Sequence, residues 1–318
     1  MRHLYIYSIA AVLLCAACIK SETDGSNVIS FVPVASKSTK AIIQDNTYPL
    51  DVPFMVSAYH NGTAAYFEGL QTRYITASNN LWETTTPEYW PLEGSLTFHS
   101  YSPAGVTGAS ISSSGVEFED YTVQNATQMT TDLLYASVTV DDCSAHPASV
   151  PLNFSHALSQ IVFKVKADAY YENVAISMTS LSLSGIYSVG DFSNEAWDNQ
   201  ESAQSYTLSS TSTALNYTAN VPNVTDVCAY LFLPQTISAD ARLNVGYTIA
   251  QTVSGTTYTV ANPPLAIPLR NTVTEWEPGK KYIYIYYKYR NGQPHHLHRH
   301  SRRLDGSGRW CRGRITEV

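Results

Sequence analysis

Charge is scarce in this chain: Asp, Glu, Lys and Arg make up 14% of its 318 residues, well below the usual quarter. A disordered polymer is excluded all the same, because aromatics reach 12% and include 23 Tyr, where disorder goes with few aromatics and strong net charge. Helical periodicity over ten or more residues is missing, which argues against a helical bundle. Beyond residue 17 no apolar run is long enough to cross a membrane as a helix. Cysteine is sparse too. Past Cys15 and Cys18 only Cys143, Cys228 and Cys311 remain, an odd number without CxxC spacing, so neither a disulfide framework nor a zinc site is expected. There is no Walker loop, GxSxG elbow, HExxH or kinase signature. Gly185 to Gly190 (GIYSVG) follows the Leu181/Leu183 strand and reads as a hairpin. Cys143 and His146 share a polar loop with no orienting third group, so no nucleophilic pair is expected there. The expectation is a protein that is not an enzyme, with no catalytic residue, cofactor or metal.

The charge that exists is unevenly placed. Residues 288–318 hold eight basic and two acidic residues; removing these from the totals of 19 and 26 leaves 11 basic against 24 acidic in residues 1–287. An acidic body excludes a nucleic-acid partner.

What fills the sequence instead is Tyr, Thr, Ser and Val in short alternating runs. Phe54, Val56 and Ala58 alternate with Met55, Ser57 and Tyr59, and Leu96 and Phe98 with Thr97 and His99. Ile161, Phe163 and Val165 form a third run, and Leu243, Val245, Tyr247 and Ile249 a fourth. A period of two sets one face of each strand on a core. Turn-forming clusters such as Asn61-Gly62, Pro103-Ala104-Gly105 and Ser254-Gly255 separate the runs. The pattern predicts an all-β fold of two β-sandwich domains in tandem. The polar stretch Asp141 to Ala148 marks the boundary, giving an N-terminal sandwich at 28–145 and a C-terminal one at 149–290.

Both ends of the chain differ from the body. Met1-Arg2-His3 and the apolar run Leu4 to Ala17 read as a signal peptide over residues 1–17. The end of that run, Ala16-Ala17-Cys18, resembles a bacterial lipobox, which implies lipidation of Cys18 and anchoring by acyl chains. Cys15 stands where lipoboxes usually carry Leu. Residues 18–27 are polar, as a tether is. At the other end, residues 291–318 form a basic, His-rich tail in which alternation stops, and disorder is predicted for it. Its His295, His296, His298 and His300 leave three readings open: a metal site, a basic patch, or a translated frameshift.

Four segments in order, Tyr89 to Pro103 (YWPLEGSLTFHSYSP), Asp132 to Ala136 (DLLYA), Val150 to Val165 (VPLNFSHALSQIVFKV) and Trp276 to Tyr282 (WEPGKKY), together with Leu231 to Gln235 (LFLPQ), resemble the fimbrillin family of Bacteroides-type bacteria. The resemblance implies transthyretin-like sandwiches in a structural or adhesive subunit of cell-surface fimbriae: stalk, tip or anchor. It implies a lipoprotein at the outer membrane whose partners are other fimbrial subunits, joined by strand exchange, and host or bacterial surface ligands. In such proteins a trypsin-like protease trims an N-terminal strand, and the exposed groove accepts a neighbour's strand. Here the corresponding strand is Val28 to Ala35, with Lys37 and Lys40 as candidate cleavage points. Tyr282 to Tyr289 (YIYIYYKY) is either the donor strand or the last strand of its own sheet. His156 reads as a core or hinge histidine bonded to backbone. A different class of function is a surface lipoprotein that binds glycans through exposed aromatics such as Trp82, Trp90 and Trp197; burial of Trp90 would favour the structural reading.

Overall fold

The computed structural model describes residues 27–35, 48–76, 80–123, 125, 128–288 and 297–302. Strands of four residues or more are numbered β1 to β17. Among the described residues the chain is all-β, with helical backbone confined to single 3-10 turns such as Cys143–Ala145 and Leu269–Asn271.

Seven strands close a barrel: β1 (Ser30–Ala35), β2 (Met55–His60), β3 (Ala64–Thr76), β4 (Leu81–Thr84), β5 (Leu96–Ser102), β8 (Leu134–Val140) and β9 (Val150–His156), in the order β1-β4-β3-β2-β5-β8-β9. The alternating positions of β2 and β5 supply its core. Phe54, Val56, Ala58, Leu96 and Phe98 point inward with Phe31, Trp82, Leu152 and Phe154. Closure removes the sheet edges that an open sandwich leaves unpaired.

The second body is two sheets facing across a larger core. One has four strands in the order β13-β10-β16-β17: Thr225–Phe232, Ser159–Ala167, Lys281–Lys288 and Leu297–Arg302. The other is built on β11 (Val174–Ser193), 20 residues long. On one side β11 pairs first with β14 (Arg242–Val253) and then with β7 (Gly115–Thr122); β12 (Ala196–Ser209) also pairs with it. β15 (Thr256–Pro268) and β6 (Ala109–Ser112) are the outermost strands beyond β14 and β7.

The two cores do not divide at residues 145/149. The strand expected to open the second sandwich, β9, instead completes the barrel, where Val150, Leu152 and Phe154 are fully buried. Conversely the β6–β7 hairpin leaves the barrel side and hydrogen-bonds to β11, placing Val116, Phe118 and Tyr121 in the second core. The polar stretch 141–148 is a loop over one end of the barrel. Its 3-10 turn is capped by Asp142, which accepts from Ser144 N at 2.9 Å, and His146 stacks on Trp90 at 4.7 Å.

The tail expected to be disordered contributes β17, antiparallel to β16. Backbone pairing tolerates almost any side chain, so the unpaired edge of β16 can recruit a basic segment that has no apolar alternation. The rest of the tail, 291–296 and 303–318, lies outside the described residues.

Candidate assembly site

The barrel has one seam unlike the others. β1 runs antiparallel to β4 but parallel to β9, and every other neighbouring pair is antiparallel. With β4 it shares only Ser30↔Glu83 and Phe31↔Trp82, whereas with β9 it pairs from Phe31↔Val150 through Ala35↔Phe154. Parallel partners need not be near in sequence, and these lie about 120 residues apart.

Sequence explains why β1 sits there. Ile29, Phe31 and Pro33 fall on one face and are buried, while Val32 and Val34 on the other are half-buried. Phe31 stands edge-on to Phe54 at 6.1 Å and to Phe98 at 5.6 Å. Below these, Tyr48 packs on Phe54, Trp82 and Phe154. Its hydroxyl pairs with Ser102 Oγ at 2.5 Å, and burial pushes its pKa up. Polar contacts fasten the rim: Ser30 Oγ donates to Ala148 O at 3.1 Å, Asn80 Nδ2 to Pro33 O at 3.0 Å, and Trp90 N to Asn27 O at 3.1 Å. Pro33 in β1 and Pro151 in β9 each remove one backbone donor, a placement typical of strands that form an edge. Without β1, β4 and β9 would be edges flanking an apolar groove.

β9 ends at a joint between the two cores. Only Ala157 and Leu158 separate it from β10. Ala157 N donates to Leu133 O at 2.8 Å, Trp197 Nε1 to Ala157 O at 2.6 Å, and Gly279 N to Leu158 O at 3.0 Å. His156, buried, places Nδ1 2.8 Å from Asp132 Oδ2. Its ring is thus held by a carboxylate, where a backbone partner was expected. Gly279 is at φ +63, and a Cβ there would stand 3.5 Å from His156 O. The residues of three separate motifs, at 132–136, 150–165 and 276–282, meet at this joint.

β16 is built into the second core. Tyr282, Tyr284 and Tyr286 are buried, Tyr284 stacks on Phe163 at 5.4 Å, and Trp276 Nε1 donates to Tyr284 OH at 2.9 Å. It runs parallel to β10. Of the tryptophans considered for glycans, Trp82 and Trp90 are 1% and 4% exposed and belong to the barrel core. Trp197 is half-buried against the joint. Cys18, Lys37 and Lys40 lie outside the described residues. Among the described residues no group of three or more His, Cys, Asp or Glu could hold a metal ion, and no helix is long and apolar enough to cross a membrane. Burial raises the pKa of the Cys143 thiol, the reverse of what a nucleophile needs; His146 Nδ1 lies against Pro147 O.

A family model described as fimbrillin-like matches residues 39–289. No curated protein matches the chain. Among solved structures, a fimbrial protein from Bacteroides vulgatus superposes with a TM-score of 0.64 at 18% identity, over 86% of this chain and 99% of that one. A candidate cell adhesion protein from Bacteroides uniformis gives 0.52 at 16% identity, over 88% and 98%. At these identities the likeness is one of fold.

Proposed function

This chain belongs to the fimbrillin-like family, and we propose that it serves as a subunit of cell-surface fimbriae that assembles by β-strand exchange at the position of β1. The family is structural, and the chain is not an enzyme. One observation carries the reading: β1 closes the barrel through a parallel seam to a strand 120 residues away, and its apolar face fills a groove that another extended strand would fit. Ile29 and Phe31 together contribute roughly 3–6 kcal/mol of burial, so β1 needs cutting before it leaves. Cleavage at Lys37 or Lys40, in the segment that follows β1, would convert a tethered strand into a dissociable one. The incoming strand then restores the main-chain pairing of β9 and β4 and fills the vacated pockets with alternate side chains.

Tyr282, Tyr284 and Tyr286 are held in the second core, so β16 is not the strand offered to a neighbour while that core is intact. Lipidation of Cys18 would keep the subunit at the outer membrane until trimming releases it. Partners are then other fimbrial subunits, and surface ligands if the subunit sits at a tip. The glycan-binding alternative loses its support with the burial of Trp82 and Trp90.

The test is to treat the purified chain with a trypsin-like protease and follow it by mass spectrometry and electron microscopy. Expected are cleavage after Lys37 or Lys40 and protease-dependent polymers, with Lys37→Gln/Lys40→Gln forming none. Complete cleavage that leaves an inert monomer would overturn the proposal.

A further inference from the structure

Strand edges are where a β-protein can be joined, and among strands of four residues or more the described residues present five outermost ones outside the closed barrel. β6 is four residues long. β12 carries Asp198 and Glu201, β13 carries Asp226, and β17 carries Arg299 and Arg302. Short length and charge are the usual guards against edge pairing. The fifth, β15 (Thr256–Pro268, TTYTVANPPLAIP), has 13 residues and no charge at all. Pro263 and Pro264 guard its second half, at a register break opposite Val245 and Tyr247. Its first half, Thr256 to Ala261, has no guard.

That half is also apolar on one face. Register sets Val260 opposite Ile249, Tyr258 opposite Gln251 and Thr256 opposite Val253. Ile249 in turn pairs with Ile176, which is buried in the second core. The face is therefore the core face of the sheet, continued past the point where the opposing sheet covers it. Val253, Tyr258 and Val260 are 51%, 62% and 60% exposed.

We propose that the Thr256–Ala261 edge of β15 docks a second copy of this chain, strand against strand and antiparallel about a two-fold axis. Charge selects this occupant. Residues 1–287 hold 24 acidic against 11 basic residues and the whole chain keeps a net charge of −7, so two copies repel one another. Leu243 to Pro268 is a hairpin without a single carboxylate or cation, and two such strips meet without that penalty. A differently charged partner would find nothing there to pair with. The strip is also self-complementary: an antiparallel edge pair is the arrangement two identical strands can make with closed symmetry. Centred on Thr259, it sets each Tyr258 opposite the other copy's Val260, an aromatic–β-branched pair of the kind that stabilises sheets.

Six residues of edge fall short of the roughly 1,200 Å² of a stable complex, so isolated pairs are weak. Subunits crowded on a surface, at effective concentrations of about a millimolar, would associate laterally. The edge is separate from the β1 seam and untouched by trimming.

Sedimentation velocity on the uncleaved full chain from about 10 µM to about 1 mM tests this. Expected is a reversible dimer with a dissociation constant on the order of 100 µM, weakened at least tenfold in Tyr258→Lys/Val260→Lys. Both side chains are exposed, so the variant keeps its melting temperature. In the associated state, hydrogen exchange slows at amides 256–261. A chain that stays monomeric at 1 mM, or a dimer indifferent to the lysines, overturns the inference. Association that leaves exchange at amides 256–261 unchanged also overturns it.

Discussion

Phe31→Ala removes the side chain that holds β1 in the barrel wall. Phe31 is fully buried, with Phe54 and Phe98 edge-on at 6.1 and 5.6 Å. Truncating such a residue costs about 3–5 kcal/mol, the lost transfer energy plus the cavity left among its neighbours. Val34→Ala, on the half-buried outer face, costs about 1 kcal/mol. The informative assay is native-state hydrogen exchange, because it separates local opening from global unfolding. If β1 detaches as a unit, Phe31→Ala lowers the free energy of that opening by at least 3 kcal/mol. Amides whose bonds depend on the β1–β9 seam, within Val150–Phe154, then exchange roughly a hundredfold faster. Amides of β10 in the second core, Ile161 to Val165, keep their rates where they exchange through openings of the second core that leave β1 in place. Equal acceleration in both places would show that β1 is not separable from the rest, and would refute the reasoning behind strand exchange.

Two further outcomes follow from buried ionisable groups. His99 is 6% exposed, and burial lowers its pKa from the ordinary 6.5, opposed in part by a hydrogen bond with the Ser113 backbone. Its neutral form is the one folded, so this stability is present above pH 6.5 and is lost as the pH falls towards the depressed folded value. Denaturant titrations between pH 7 and 5 should show a slope of up to about 1.4 kcal/mol per pH unit from this residue, absent in His99→Phe; an unchanged slope counts against it. At the joint, Asp132→Ala leaves His156 without its carboxylate and should cost about 3 kcal/mol. A double-mutant cycle with His156→Ala, read by urea unfolding, should give a coupling above about 1 kcal/mol; additivity would mean the pair is incidental.

The strands were legible in the sequence, and their partners were not. Alternation at Phe54/Val56/Ala58 and at Tyr282/Tyr284/Tyr286 marks faces correctly, because a period of two is a local property. Which barrel a strand joins is decided by closure over long separations. Val150 to His156 follows a polar loop and looks like the start of something new, yet its place is set by β1 and β8 on either side. The β6–β7 hairpin misled in the opposite sense: it belongs by sequence to the first body, but Phe118 and Tyr121 find Phe192 and Trp197 across the joint. Trp82 and Trp90 read equally well as sugar platforms or core, since composition does not say which side of a wall a ring faces. For the assembly site, the motif order pointed to the family, while the parallel seam and the Asp132–His156 pair needed coordinates.

The two parallel pairs have a mechanical consequence. β1 lies parallel to β9, β16 lies parallel to β10, and β9 runs into β10 through Ala157 and Leu158 alone. A tensile load entering ahead of Ser30 and leaving beyond Lys288 passes along these four strands in series. It pulls the start of β1 against the end of β9, and the start of β10 against the end of β16. Each ladder is then loaded in shear, its hydrogen bonds sharing the force, instead of being unzipped one bond at a time. A strand that replaces β1 in the same direction inherits that geometry, so a filament so joined would resist drag along its length.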